Sequence, residues 1–461
     1  MIDFAARAWN LSRPMNPIVR SLLDTDFYKL LMMQFLWERY PNDIVKWKVT
    51  NRTKTIRLSD EIDIGELREQ LDHVRGLRVT ASELIWLRGQ TFYGKQGIFK
   101  EGFLDTLRHL HLPDYELGFE ELAEFDPMCS NGRTGQFNLT FTGPTWQVTL
   151  WEIYALTIIN ELLSRSRLAK MDKSQIDITY ARAKVKLYAK LEKLRDVEGL
   201  NLSDFGTRRR HSFLWQEHCV LTACEVVGKG FTGTSNVFLA MKHGLEAKGT
   251  NAHELPMLFA ALARQNHPGD EEALRQSQYD VLHQWQNSYH QNLLVFLPDT
   301  FGTTQFLKGA PQWVSNWTGA RPDSKAPWEA GDELITAWSK MGLTPEQVAK
   351  KLVIFSDGLD VQVDGKQNGD DIIELHDYFK GKIIPAFGWG TNFSNDFIDC
   401  SPLRDVPLNS ISIVCKLAEV NGHPAIKLSD NYEKATGPAD EVEVYRKTFG
   451  SAGMKDAPVL V

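Results

Sequence analysis

Alternation of apolar and polar residues at the two ends of the chain predicts antiparallel β-structure. Residues 46–50 and 136–141 alternate strictly, which is typical of half-buried strands with one face in water. Near the other end, residues 411–420 and 424–429 flank Asn421-Gly422, a strong two-residue hairpin signal. We therefore expect the C-terminal segment to return to an N-terminal α+β domain.

Helical spacing of apolar residues separates these strands in the first half of the chain. Residues 22–37 have this spacing, and Asp24 and Asp26 suit the positively polarised first turn of such a helix. Residues 151–163 and 179–197 have the same kind of pattern. The N-terminal part therefore mixes helices with antiparallel strands.

From about residue 200 the pattern changes to short runs that end in turns rich in Gly, Ser or Asp. Seven such ends can be found, at residues 204–206, 231–234, 248–250, 297–300, 317–319, 355–358 and 386–388. Most are followed by a helical segment, and residues 236–243 and 345–351 are long enough for crossovers. Repeated strand–turn–helix units predict a parallel sheet covered by helices, and seven in succession favour barrel closure. A doubly wound sheet is the alternative fold.

Composition narrows the function classes. The chain has 461 residues, 43% hydrophobic and 24% charged, which is typical of a globular protein with more than one domain. A net charge of −7 does not favour a nucleic-acid binder. The longest apolar stretch, residues 255–263, is too short to span a membrane, and residues 1–10 lack the apolar centre of a secretory signal.

Cysteine usage favours a reducing compartment. None of the cysteines forms a CxxC pair or has the spacing of a zinc site. We expect reduced thiols in a cytoplasmic enzyme. The cysteines are Cys129, Cys219, Cys224, Cys400 and Cys415.

Polar residues collect directly after the predicted strands, where α/β barrels carry their chemistry. They are Arg208-Arg209-Arg210, Ser235-Asn236, Asn251-Ala252-His253-Glu254, Arg321-Pro322-Asp323-Ser324 and Trp389-Gly390-Thr391-Asn392. Arginines and Gly/Thr-rich turns with few carboxylates are typical of an anion site. The sequence therefore predicts a phosphorylated or carboxylated small substrate.

Taken singly, these residues also have ordinary structural interpretations. A run of three arginines is usually a solvated surface, and an isolated His253 is more often structural than catalytic. Tyr28 fits the core of an amphipathic helix. Thr250 is a good N-cap, which would place His253 in the first turn of a helix. Their shared position after successive strands is what favours a site.

One glycine motif suggests a different enzyme. Residues 228–233 satisfy the GxGxxG pattern, which in dinucleotide-binding folds joins a strand to a helix. Here residues 215–227 have a helical pattern and residues 230–234 a strand pattern, the reverse order. We interpret the match as accidental, and keep an NAD-binding oxidoreductase using Gly228, Gly230 and Gly233 as the alternative. A third alternative is a phosphate-ligand binding protein without catalytic activity.

In this order the turns resemble those of the nicotinate phosphoribosyltransferase family, from its bacterial and fungal branch. The motifs that carry the resemblance lie at residues 25–29, 205–209, 233–237, 249–254, 321–324, 387–390 and 427–429. The family implies an α/β fold with an irregular (β/α) barrel of the type II phosphoribosyltransferase kind. We expect the barrel at residues 161–404, and an α+β N-terminal domain at residues 1–160 completed by the C-terminal hairpin segment 405–461.

The resemblance also implies a reaction. Members join nicotinate to phosphoribosyl pyrophosphate, release pyrophosphate, and couple this C–N bond formation to ATP hydrolysis with Mg²⁺, which supplies nicotinate mononucleotide for NAD biosynthesis. It further implies a cytoplasmic homodimer with shared active sites. No side chain is assigned as a metal ligand.

Site residues follow from the resemblance position by position. His253 corresponds to the histidine that ATP phosphorylates, with Asp323 and Glu254 as further catalytic residues. Tyr28 of a partner subunit and Phe205 correspond to the aromatic residues on either face of the pyridine ring. Arg208, Thr250 and Arg321 correspond to the nicotinate pocket, and Ser356, Asp357, Gly390, Thr391, Arg52 and Lys427 to residues that bind ribose and phosphates.

Ser235 bears on the choice of substrate. The related nicotinamide enzyme has an aspartate at this position, and an acid there would repel the carboxylate of nicotinate. A serine hydroxyl can donate a hydrogen bond instead. Ser235 therefore favours nicotinate over nicotinamide.

Overall fold

The computed structural model describes residues 15–92, 94, 96–121 and 135–456, so the expectations for residues 1–10 and for Cys129 lie outside the described residues. The strands are β1 Ile44–Asn51, β2 Thr91–Phe92, β3 Gln96–Gly97, β4 Tyr115–Glu121, β5 Gly135–Pro144, β6 Leu202–Asp204, β7 Phe231–Thr234, β8 Val295–Phe296, β9 Gly319–Ala320, β10 Leu352–Phe355, β11 Leu359–Asp360, β12 Asp370–Asp371, β13 Ile384–Trp389, β14 Ile413–Val420 and β15 His423–Pro424.

The helices are α1 Phe27–Arg39, α2 Leu58–Glu61, α3 Ile64–Gly76, α4 Ala81–Arg88, α5 Glu101–Arg108, α6 Thr145–Val148, α7 Trp151–Leu168, α8 Lys173–Arg195, α9 Phe213–Val226, α10 Val237–His243, α11 Glu254–Asn266, α12 Glu271–Ser288, α13 Thr303–Gly309, α14 Pro327–Lys340, α15 Pro345–Val348, α16 Ile372–Phe379, α17 Thr391–Ser394 and α18 Ala439–Phe449. Short 3-10 turns lie at Thr207–Arg209, Gly228–Gly230, Gln312–Asn316 and Tyr432–Lys434. None of the helices within the described part of the chain is long and apolar enough to cross a bilayer.

A five-stranded antiparallel sheet joins the two ends of the chain in the order β15-β14-β1-β5-β4. β1 lies between β5 and β14, with Val49 opposite Cys415. The predicted hairpin is confirmed, because β14 pairs with β15 and the turn residues Asn421 and Gly422 have φ of 51° and 81°. Both angles are those of the tight turn that an Asn-Gly pair adopts most readily.

The first long helix begins later than the sequence predicted. α1 begins at Phe27, so Asp24 lies outside it and Asp26 is its N-cap residue. Asp24 instead receives two hydrogen bonds from the buried Arg210, at 2.7 and 2.8 Å. The segment before α1 forms turns and bends and is bound to the α/β half of the chain, where Val237 N donates to Thr25 O at 2.9 Å. The chain therefore enters the helix only at Phe27.

A second sheet of six parallel strands is built from residues 202–389, in the order β7-β6-β13-β10-β9-β8. This is the α/β architecture expected from the successive strand–turn–helix units. Two of the seven runs differ from the prediction. Residues 248–250 form no strand, and only Ala247 bridges to Thr234. The strand expected to end at residues 317–319 instead begins at Gly319.

A side-chain hydrogen bond links the chain beyond one edge strand of this sheet, β7, to the other edge strand, β8. Asn251 Nδ2 donates to Val295 O at 3.2 Å, which joins the segment after β7 and α10 to β8 at the opposite edge. The N-terminal and C-terminal segments cover the same end of the sheet. Phe27 N donates to Ser235 O at 2.7 Å and Leu428 N donates to Thr300 O at 3.0 Å. The carboxyl ends of the strands therefore face a cleft that is covered by the segments around Phe27 and Leu428.

Glycine 228 and its neighbours lead into a strand rather than out of one. The residues Gly228–Gly230 form a 3-10 turn between α9 and β7. The order is helix, turn, strand, as the sequence predicted, and not the strand–turn–helix order that dinucleotide binding requires.

Gly319 gives a stability test of the barrel packing. A Cβ atom at this position would lie 1.9 Å from the backbone oxygen of Leu352 on the neighbouring strand. We expect Gly319→Ala to lower the free energy of unfolding in urea by about 1–3 kcal/mol. The added methyl group would press on the backbone of Leu352, and the pairing of the two strands limits how far either backbone can move. Gly76→Ala is the matched control, because a Cβ there meets nothing within 4 Å. Equal stability of the two variants would contradict this packing.

Candidate active site

The cleft at the carboxyl edge of the parallel sheet gathers nearly all the predicted site residues around a cavity of about 200 Å³. Those lining it are Tyr28, Arg52, Phe205, Arg208, Ser235, His253, Glu254, Arg321, Asp323, Ser356, Asp357, Gly390, Thr391 and Lys427. Thr250 is the exception and does not line the cleft. It is not a helix cap either, because α11 begins at Glu254 with His253 as its N-cap residue. The preceding Gly249 packs against the Tyr28 backbone at φ +152°, and residues 250–252 continue as irregular chain before α11.

Two glycines allow aromatic side chains to approach the cleft. A Cβ on Gly388 would lie 2.2 Å from the ring of Phe205, and a Cβ on Gly249 would lie 2.8 Å from the backbone nitrogen of Tyr28. Tyr28 lines the cleft of its own chain. α1 packs against the barrel of the same chain, and the entry of Tyr28 into the cleft of a partner subunit, which the resemblance implies, stays a prediction.

His253 is held at both ring nitrogens. Nδ1 lies 2.9 Å from Thr300 Oγ1, and Nε2 lies 3.3 Å from Asp323 Oδ2 and 3.5 Å from Asp299 Oδ2. Burial lowers the pKa of His253, although Asp299 acts in the opposite direction. The imidazole is therefore neutral at pH 7, and its carboxylate neighbours favour the tautomer that carries a proton on Nε2.

Asp323 connects this histidine to the loops on the other side of the cleft. Its Oδ1 accepts from the Ser356 hydroxyl at 2.9 Å. Burial alone would raise the pKa of Asp323, but the hydrogen bond to His253 and the charge of Arg321 hold it well below the ordinary value. The carboxylate is therefore ionised beside a neutral imidazole.

Asp299 is a site residue that the sequence analysis did not single out. It is fully buried, accepts from the Ser324 hydroxyl at 2.7 Å, and lies 3.7 Å from Lys427 Nζ. Its second oxygen, Oδ1, has no hydrogen-bond partner among the described residues. The sequence could have indicated Asp299, because it lies in the turn at residues 297–300, one of the predicted strand ends.

A buried ion network underlies the aromatic end of the cleft. Lys29 is fully buried and lies 2.7 Å from Glu152 Oε2 and 3.0 Å from Glu254 Oε2. Glu254 also accepts from Thr149 at 2.6 Å, so its carboxylate is bound to this network rather than to His253. Glu152 in turn accepts from Arg208 Nη1 at 3.1 Å. One lysine thereby fixes the carboxylate that orients Arg208.

The opposite end of the cleft is crowded with cations. Arg52, Arg209, Lys416, Lys427 and Lys434 line it together, and Arg209, Lys416 and Lys434 were not predicted as site residues. Burial, followed by the charges of Lys427 and Arg52, lowers the pKa of Lys416 well below its ordinary value. Burial and the neighbouring Arg208 likewise lower the pKa of Arg209 to about 10. Like charges held this closely favour a bound polyanion.

The hydroxyl group of Ser235 is already used in a hydrogen bond within the protein. Its hydroxyl donates to Asp26 Oδ1 at 2.7 Å, and Asp26 is itself buried at the cleft wall. Burial raises the pKa of Asp26. The hydroxyl expected to donate to the substrate is thus bonded to Asp26.

The cation cluster predicts a pH-dependent affinity for pyrophosphate. Lys416→Met should weaken pyrophosphate binding at least about tenfold in calorimetry at low salt, since a buried charge contact is removed. Because the pKa of Lys416 is lowered, its ammonium group loses its proton at a lower pH than an ordinary lysine does. Pyrophosphate binding to the original chain should therefore begin to weaken at a pH below that at which ordinary lysines titrate. Lys382→Met, at an exposed lysine outside the cleft, is the control. Unchanged affinity in Lys416→Met would contradict the assignment of an anion site.

Comparison with known proteins agrees with this geometry. The model of the nicotinate phosphoribosyltransferase family matches residues 200–452, and that of the family's N-terminal domain matches residues 23–160. A nicotinate phosphoribosyltransferase structure from Vibrio cholerae is 29% identical with a TM-score of 0.78, covering 94% of each chain. A putative one from Saccharomyces cerevisiae is 26% identical with a TM-score of 0.76, covering 95% of this chain and 100% of that one. One from Porphyromonas gingivalis, at 24% identity and a TM-score of 0.75, covers 94% of this chain and all of that one, and shows the same fold. The chain belongs to the nicotinate phosphoribosyltransferase family.

Proposed function

We propose that this chain transfers phosphoribose from phosphoribosyl pyrophosphate to nicotinate, giving nicotinate mononucleotide and pyrophosphate for NAD biosynthesis, and couples the transfer to ATP hydrolysis through a phosphohistidine at His253. The observation that supports this best is the cleft itself, which combines aromatic walls, a cluster of cations and a neutral imidazole. Each of the three groups suits one of the three substrates.

Nicotinate would bind at the aromatic end. Tyr28 and Phe205 offer faces that hold an electron-poor ring without competing for its nitrogen. Arg208, oriented by Glu152, and Arg321 would pair with the carboxylate. Nicotinamide carries no such charge, and Ser235 stands where the nicotinamide enzyme has an acid. We therefore expect nicotinate to be preferred.

Phosphoribosyl pyrophosphate would bind across the carboxyl ends of β10 and β13. Ser356, Asp357, Gly390 and Thr391 follow these strands and suit the ribose and its phosphate. Transfer breaks the bond from the anomeric carbon to pyrophosphate as the ring nitrogen forms its own bond to that carbon. The cations at this end, among them Arg52 and Lys427, would stabilise the negative charge that the leaving pyrophosphate takes away.

The acidic groups near His253 fit a magnesium ion. Ligand atoms of His253, Asp299 and Asp323 lie within 4.8 Å of one another, and the unpartnered Asp299 oxygen is of the type Mg²⁺ prefers. Asp299 and Asp323 would hold the ion. When bound, Mg²⁺ would neutralise phosphate charge on ATP or pyrophosphate.

His253 is suited to accept the γ-phosphoryl group of ATP because it is neutral. Attack through Nε2 requires the other tautomer, with the proton on Nδ1, which would donate a hydrogen bond to the Thr300 hydroxyl oxygen at 2.9 Å. The P–O bond to ADP breaks as the N–P bond forms. Water then releases phosphate from His253.

Two alternatives give different results. The first alternative is an oxidoreductase that binds NAD through Gly228, Gly230 and Gly233. In this chain a helix precedes these glycines, where a dinucleotide-binding fold has a strand. A non-catalytic binding protein would bind sugar phosphates without releasing pyrophosphate, which a turnover assay detects. We keep a cytoplasmic location as part of the proposal. A homodimer with shared active sites also remains part of the proposal, and Tyr28 lines the cleft within the single chain as well.

Labelling with γ-³²P ATP tests the role of His253. We expect acid-labile, base-stable label in the original chain and none in His253→Ala. Because burial lowers the pKa of His253, the labelling rate should not fall as the pH is lowered from about 7.5 to about 6.5, where an ordinary histidine is half protonated. His423→Ala, at an exposed histidine, is the control. Label that persists in His253→Ala would refute the phosphohistidine, although not the transferase activity.

A further inference from the structure

Helix α8 presents a row of lysines to the outer side of two cleft loops. Lys186, Lys190 and Lys193 are spaced by four and three residues, so they share one face of the helix. Lys193 Nζ donates to Gln362 O at 2.6 Å and Lys186 Nζ to Ile398 O at 2.9 Å. These contacts tie α8 to the chain after β11 and after β13.

Lys190 contacts both loops at once. Its ammonium group pairs with Asp360 and with Asp396, the latter at 2.6 Å. The side chains of Lys190, Asp360 and Asp396 are only 4%, 0% and 7% exposed. The remaining oxygens are bound as well, Asp360 Oδ2 by Asn368 N and Asp396 Oδ1 by Lys186 Nζ, both at 2.7 Å. The group is a buried, fully paired charge cluster.

The two loops joined by this lysine are those assigned above to phosphoribose. Asp360 ends the short strand β11, which directly follows the loop of Ser356 and Asp357, and Asp396 lies just after the short helix α17, which follows Gly390. The cleft-lining residues on these loops are 356–359 and 390–392. Lys190, Asp360 and Asp396 do not line the cleft, so the lysine acts from behind it.

We propose that Lys190 is a positioning residue that sets the spacing of the two phosphoribose loops without contacting substrate. The inference rests on the proposed function. Without the ammonium group, Asp360 and Asp396 would lie near each other as buried carboxylates, and only Asp396 would keep a lysine partner, Lys186. Like charges in a buried site repel each other strongly. The loops would then separate, and a ligand that spans both would lose contacts. Nicotinate, held at Tyr28 and Phe205, would be affected far less.

Steady-state kinetics of Lys190→Met separate this role from a merely structural one. We expect KM for phosphoribosyl pyrophosphate to rise at least about tenfold while KM for nicotinate stays within about twofold, since small misplacements of binding groups have large effects. Lys190→Arg keeps the charge and should recover most of the affinity. Lys193→Met is the matched control from the same helix face, because Lys193 contacts only a backbone oxygen of the loop.

A second variant keeps the test informative if Lys190→Met does not fold. Lys190→Met combined with Asp360→Asn removes one repelling charge and should fold while keeping the KM split. Equal changes in both KM values, or in neither, in a folded variant would overturn the proposal. Absence of nicotinate mononucleotide from the unaltered chain would instead refute the proposed function. In that case calorimetric binding of phosphoribosyl pyrophosphate to the unaltered chain and Lys190→Met decides the inference, with equal affinity overturning it.

Discussion

The crowding of partly or fully buried cations at one end of the cleft is the constraint on which the site depends. Arg52, Arg209, Lys416 and Lys427 share one end of it, and burial lowers the pKa of each. Removing several cations from water together is unfavourable, and a bound polyanion would offset that cost. Acidic neighbours offset part of it, since Lys434 pairs with Asp357 and Lys427 Nζ lies 3.7 Å from Asp299.

Carboxylates divide the cleft into two chemically different ends. Glu152 and Glu254 neutralise Lys29 below the aromatic walls, and Glu152 also holds Arg208. At the centre, Asp299 and Asp323 lie beside a histidine whose burial keeps it uncharged. An uncharged imidazole therefore lies between the cation-rich end and the aromatic end of the cleft.

The sequence predicted the positions at strand ends well, and the long-range polar pairs poorly. Phe205, Arg321 and Gly390 could be placed together because parallel strands bring their carboxyl ends to one edge. Lys29 could not be assigned, since its partners Glu152 and Glu254 are distant in sequence and the helix around it is apolar. Thr250 was misplaced because the capping preference of a threonine is only a local signal, and the helix begins four residues later, at Glu254. The close approach of Gly249 to the Tyr28 backbone joins residues far apart in sequence, which periodicity alone cannot reveal.

Product formation measured with and without ATP, with nicotinamide offered as competitor, tests the central claim most directly. If one cleft joins an anionic ring, a phosphoribosyl donor and a phosphorylated histidine, nicotinate mononucleotide should form, ATP should increase its yield, and nicotinamide should compete weakly because it lacks the charge that Arg208 and Arg321 would bind. Nicotinamide used as well as nicotinate, or no nucleotide formed from either base, would contradict the account.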